Sequence, residues 1–218
     1  MDPNGLTPQS KEPAKEHLMT TTTKDIQDLS NAVMEAKNKL REAIKDLPPE
    51  PVEDWELNNT DGSATKLSQL FGDKSELLVV HNMGKHCNYC SLWADGFIGH
   101  ANHLQERCAF VLCSNDDPAT TAAFAKERGW TYPCVSGSDS GFAAAMGYKS
   151  DDGALPGVSA FHKNDDGSIV RTGHAPFGPG DDFCPVWPFM DLIKDGYADW
   201  QPRHGGNSCC GSSGCSSG

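Results

Sequence analysis

Two cysteines three apart, Cys87 and Cys90, stand between a continuous apolar run, Leu77 to His81, and a segment with helical spacing, Ser91 to Arg107. A strand that feeds straight into a helix commits this part of the chain to layered α/β packing, with the turn at the strand's carboxyl end. The first turn of such a helix carries N–H groups without intrahelical partners and the positive end of the helix dipole. Both stabilise a thiolate. The i, i+3 spacing also lets the second sulfur reach the first and close a small disulfide ring.

The rest of the chain alternates in the same way. From Lys24, apolar residues recur at Ile26, Leu29, Val33, Ala36, Leu40, Ile44 and Leu47, the spacing of a long amphipathic helix, and Pro48-Pro49 stops it. Residues from Val52 to Phe71 read as a hairpin with an Asp61-Gly62 turn, then one helical turn at Leu67 to Phe71. Ala109 to Cys113 is a second buried strand. A helix from Ala119 to Arg128 follows it, started by Asp116-Asp117-Pro118 and closed by Gly129. Thr131 to Val135 reads as a strand and Asp139 to Tyr148 as a small helix. Val158 to Lys163 and Ser168 to Thr172 flank a turn, and Pro188 to Gly196 closes the set as a helix. Strands alternating with helices and ending in an antiparallel hairpin describe a mixed α/β sandwich.

The boundaries fall at changes of texture. Residues 1–23, rich in Pro, Lys, Glu and Thr, read as disordered, 24–50 as the amphipathic helix and 51–200 as the main domain. Residues 201–218 read as a flexible Gly/Ser tail carrying Cys209, Cys210 and Cys215.

A formal charge of −12 argues against nucleic acid or an anionic membrane as partner. No run approaches the 18 apolar residues of a membrane span, and the N-terminus lacks the apolar core of a secretory signal. The expectation is a cytoplasmic protein. There, nine cysteines are not a disulfide framework but core residues, redox groups or metal ligands.

CNYCSLWADGF, followed by GWTYPCVSG and LPGVSAF, resembles a bacterial thioredoxin-like family known as domain of unknown function 899, over roughly Leu47 to Ile193. The resemblance implies a thioredoxin-like fold of the peroxiredoxin-like kind: an α/β/α sandwich on a mixed central sheet, here preceded by a long helix and followed by the cysteine tail. It also implies a redox site. In thioredoxin-like proteins a cis-proline opens the penultimate strand beside the redox cysteines, and Pro156 matches that place.

On this reading Cys87 is the nucleophile, with Lys85 or His86 favouring its thiolate, and Cys90 is the buried resolving thiol. Trp93 packs under the site or serves only as a core aromatic. Asp95 is either a proton acceptor for Cys90 or a surface carboxylate. Cys113 and Cys134 stand near the carboxyl ends of strands but read first as core cysteines, and Cys108 and Cys184 as structural. The function expected is thiol–disulfide oxidoreduction, with peroxide as a further acceptor. It requires no cofactor, only a cellular thiol reductant to reset the pair.

A second reading is soft-metal binding or delivery. Cys87, Cys90, His86 and the tail pair Cys209-Cys210 would hold Cu(I), Zn or Hg, with His81 flanking the same turn. His100 and His103, at i, i+3, read as solvated helix polarity. A third reading gives the long helix an assembly role, as in a homodimer.

Overall fold

The computed structural model describes residues 21–203. The tail cysteines and the first 20 residues lie outside them. The described chain divides at Ala43/Ile44 into two compact units. In the first, helix α1 (Thr23–Lys45) opens with reciprocal capping bonds. The Asp25 N–H donates to Thr22 Oγ1 at 3.2 Å, and the Thr22 N–H donates to Asp25 Oδ2 at 2.8 Å. The apolar residues Ile26, Leu29, Val33 and Leu40 are all exposed.

The second unit is built on one mixed sheet. Its strands are β1 (Glu50–Val52), β2 (Glu56–Asn59), β3 (Ala64–Lys66), β4 (Glu76–Asn82), β5 (Ala109–Ser114) and β6 (Cys134–Ser136). A separate small ladder pairs β7 (Lys149–Ser150) with β8 (Gly153–Ala154). β9 (Gly157–Lys163) and β10 (Ile169–Pro176) return to the main sheet, whose order is β1-β10-β9-β4-β5-β6-β2-β3. β4 runs parallel to β5, from Leu77 opposite Ala109 to Asn82 opposite Ser114. It runs antiparallel to β9, with His81 opposite Gly157. Parallel neighbours need crossover helices. These are α2 (Asn88–Phe97) and α3 (Ala101–Arg107) between β4 and β5, and α4 (Pro118–Arg128) between β5 and β6. Two short helices, α5 (Phe142–Ala145) and α6 (Val186–Met190), complete the unit.

Alternation along β4 sorts its residues onto two faces. Leu77 and Val79 join Phe71, Phe142, Tyr148 and Phe161 in one core layer. Leu78 and Val80 face the other layer, with Trp93, Phe97, Phe110, Tyr132 and Trp187. Helix α2 therefore packs on one face of the sheet and α5 on the other, as an α/β/α sandwich requires.

Several elements differ from the sequence reading, among them the strand expected over Thr131 to Val135, which is Cys134–Ser136. The helix expected over Ser91 to Arg107 is two helices. Tight i→i−3 bonds, Ile98 N–H to Asp95 O and His100 N–H to Phe97 O, break it and let Ala101 turn into the core. The helix expected over Asp139 to Tyr148 shortens to Phe142–Ala145, bounded by Gly141 and Gly147, both at positive φ. The last helix, expected over Pro188 to Gly196, is Val186–Met190. Pro188 sits in its first turn, where the missing N–H has no intrahelical acceptor to lose. The edge strand β1 was not foreseen. It is held to β10 by Arg171, which donates to Glu50 Oε2 at 2.9 and 2.6 Å.

Candidate active site

β4 ends at Asn82, and the next five residues deliver Cys87 to the start of α2. That turn is pinned by polar groups from the end of β4 and from the loop after β5. Asn82 Oδ1 accepts the Gly84 N–H at 2.8 Å, and Asp116 Oδ2 accepts the Lys85 N–H at 2.6 Å. Gly84 is required on two counts. Its φ is +105°, and a Cβ there would lie 2.6 Å from Asp116 Oδ1.

Cys87 itself caps the helix. Its backbone is extended (φ −93°, ψ 105°), and its Sγ accepts the Cys90 N–H at 3.1 Å. Sulfur thus takes the place usually held by a Ser or Asp oxygen. The Cys90 thiol donates a further hydrogen bond to it, the largest of the effects that bring the Cys87 thiol down from 9.0 to about 6. Half-burial opposes that shift, while the N–H groups of Cys90 and Tyr89 and the charge of His86 assist it. Cys90 moves the opposite way. It is 3% exposed, and both its bond to the Cys87 sulfur and its burial push its thiol far up. The two cysteines are unbridged. Their proton inventory is one thiolate and one thiol that donates to it.

Trp93 is 2% exposed and stacked on Phe177 at 5.4 Å in the core layer on which α2 packs. Tyr89 bridges the helix start to Trp187 at 6.2 Å.

Asp95 is not a proton acceptor for Cys90. Its carboxylate forms an ion pair with Arg128 of α4 and accepts the Trp130 Nε1–H at 3.0 Å. Five residues along a helix place it about 140° around the axis from Cys90, on a different face. Pro156 is not cis: the described residues contain no cis peptide bond. It keeps the place expected of it, immediately before β9, whose Gly157 pairs with His81 at the end of β4. Its carbonyl accepts the Phe177 N–H at 3.0 Å.

His81 does not join the cysteines. Side chains alternate, so it points to the opposite face of the sheet. There it stacks on Tyr148 at 4.0 Å and bonds Ser159 Oγ at 3.0 Å. Burial, with a smaller effect of Arg171, lowers its pKa to about 3, which keeps it neutral. Cys113 shares that face as its register neighbour, and burial raises its thiol to about 12. Cys134 packs with the other layer and is likewise raised to about 12 by burial. His86 is exposed, as are His100 and His103. Among the described residues no three His, Cys, Asp or Glu side chains are grouped to hold a metal ion. Cys209 and Cys210 lie outside the described residues, and no described helix is long and apolar enough to cross a membrane.

Asn82 and Asp116, which with Gly84 set the Cys87 turn, were missed from the sequence as site residues. Asp116 read as a helix-start residue, and only the parallel pairing of β4 with β5 brings it to Lys85, 31 residues away. Gly84 carried the one available signal, a glycine just before the cysteine pair.

A mixed sheet flanked by helices, with a cysteine pair opening the helix after a central strand, defines a thioredoxin-fold protein of the peroxiredoxin-like kind. A family model described as "Bacterial protein of unknown function (DUF899)" matches residues 21–205, and the chain belongs to that family. Among solved structures, reduced Prx3 in complex with H2O2 from Vibrio vulnificus is similar at 16% identity. The match covers 62% of this chain and 90% of that one, with a TM-score of 0.51. Peroxidoxin BcpB from Mycobacterium tuberculosis is 26% identical over 59% of this chain and 84% of its own, with a TM-score of 0.46. No curated protein matches the chain.

Proposed function

We propose that the protein is a thiol–disulfide oxidoreductase in which Cys87 is the nucleophile. The observation that carries this reading is the sulfur cap: Cys87 Sγ accepts the Cys90 N–H at the start of α2 and has its pKa lowered to about 6. A thiolate therefore predominates at neutral pH, and it is the thiolate that attacks.

The Cys87 thiolate attacks one sulfur of a substrate disulfide. That S–S bond breaks, one substrate thiolate leaves and takes a proton from water, and a mixed disulfide remains on Cys87. A second thiol then attacks Cys87 Sγ and expels the other half, so two protein thiols are oxidised and one disulfide is reduced. Cys90 is placed to be that thiol once it loses its proton. Peroxide is an alternative acceptor with the same electron count. The O–O bond breaks, Cys87 becomes a sulfenic acid, and condensation with the second thiol releases water. Neither route calls for a metal, and a cellular thiol resets the pair.

The test is alkylation by iodoacetamide followed by peptide mass spectrometry. Cys87 should be the first described cysteine modified at pH 6.5. After treatment with a disulfide it should be recovered in a bond that a thioredoxin system reduces. Modification of Cys87 no faster than that of Cys108 or Cys184 would overturn the reading.

A further inference from the structure

The apolar residues of α1 follow a stricter rule than amphipathic spacing. Ile26, Leu29, Val33, Ala36, Leu40 and Ala43 recur at alternating steps of three and four, the a and d positions of three consecutive heptads. All six are exposed, and the four larger ones are 52 to 62% exposed. Ion pairs along the helix lie off this seam: Lys24 with Asp28, and Lys39 with Glu35. The helix has 23 residues and is about 34 Å long. In water most of a helix's stability comes from packing its apolar face, so such a seam calls for a covering surface.

Side-chain size says what covers it. Were two copies to pair in parallel, each layer would join a residue to itself. Ala36 would meet Ala36 and Ala43 would meet Ala43, leaving both layers underfilled. Run antiparallel, the layers become Ile26 with Ala43, Leu29 with Leu40, and Val33 with Ala36, each formed twice. Every alanine then faces a β-branched side chain, and large fills against small. Charge points the same way. Residues 23–36 carry Lys24 against Asp25, Asp28 and Glu35, whereas residues 37–45 carry Lys37, Lys39, Arg41 and Lys45 against Glu42. Only the antiparallel arrangement sets the acidic half of one copy on the basic half of the other. The seam residues of two copies bury on the order of 1,000 Å² before flanking side-chain stems are added, which is the area a specific contact needs.

We propose that α1 is a homodimerisation helix, and that its seam is covered by the α1 of a second copy running antiparallel to it. The proposal stands apart from the redox reading of Cys87. A contact between two helices of this length is at the low end of specific interfaces, so the dimer dissociates on dilution.

Sedimentation velocity and native mass spectrometry of the full chain test this, from about 50 µM downward and in excess reductant so that no disulfide holds two copies together. The wild type should be a dimer at the top of that range. Leu29→Glu should weaken it by at least about tenfold, because a charge would enter the Leu29–Leu40 layer twice. Adding Leu40→Lys to the same chain should recover most of that loss. Antiparallel pairing then joins the new carboxylate of each copy to the new ammonium of the other, whereas parallel pairing would set like charge on like. Gln27→Glu, off the seam, adds the same charge and should leave the dimer intact. Leu29 is 62% exposed, so the variants should keep the fold, and an unmoved Cys87 alkylation midpoint checks this. A monomeric wild type at about 50 µM overturns the proposal. So does a dimer indifferent to Leu29→Glu, equal weakening by Gln27→Glu, or a double variant no tighter than Leu29→Glu alone.

Discussion

Replacing Cys90 by Ala should raise the Cys87 pKa, and the size of the rise follows from one hydrogen bond. The Cys87 thiol is lowered from 9.0 to about 6, and the largest contributor is the bond donated by the Cys90 thiol. A hydrogen bond to a charged acceptor contributes about 1.5–3 kcal/mol, or roughly one to two pH units at about 1.4 kcal/mol per unit. The variant should therefore titrate near pH 7–8, because the N–H groups of Cys90 and Tyr89 and the helix start remain. At pH 7 the thiolate fraction would fall from ~0.9 to roughly 0.1–0.5. The assay is the rate of Cys87 alkylation by iodoacetamide between pH 4.5 and 9.5, followed at the Cys87 peptide. Cys90→Ser, whose hydroxyl still donates, should move the midpoint by less than about one unit. A midpoint in Cys90→Ala within a few tenths of wild type would show that the donated bond does not set the acidity.

His81 should make the fold acid-sensitive. It titrates at 6.5 when unfolded and near 3 when folded, so below pH 6.5 the unfolded chain binds the extra proton and stability falls as pH falls. In urea titrations the stability gap between wild type and His81→Gln should close by about 2 kcal/mol from pH 6.5 to 5, and a constant gap would refute this. Asp95→Asn should cost about 1–2 kcal/mol in denaturant unfolding through the loss of the Arg128 pair, and leave the Cys87 alkylation midpoint where it is. A shifted midpoint would return Asp95 to the site. Gly157→Ala would place a Cβ 2.1 Å from Tyr148 Cε1 and 2.6 Å from the Ala175 carbonyl. It should destabilise by more than about 3 kcal/mol, whereas Gly99→Ala, with nothing within 4 Å, should be near neutral; comparable melting temperatures would contradict the packing described here.

Much of the site was legible because it is local. A cysteine at a helix start finds unpaired N–H groups within three residues, so the strand, the pair and the capping sulfur followed from spacing alone. What failed involved direction. His81 and Cys87 are six residues apart, yet strand alternation sends His81 through the sheet to Tyr148 and away from the sulfur. Asp95 is five residues from Cys90, but its partners come from α4 and the segment after it, 33 and 35 residues on.

The sequence by itself determined which elements form and that Cys87 stands at the start of α2, because helix capping, turn chemistry and apolar periodicity act over a few residues. Tertiary structure alone decided which groups meet: Asp116 with the Lys85 N–H, Arg128 with Asp95, and the cleft between Asn88 and Arg203. Strand order and crossover placement bring those groups together across 31 to 115 residues, and no local pattern encodes such a distance.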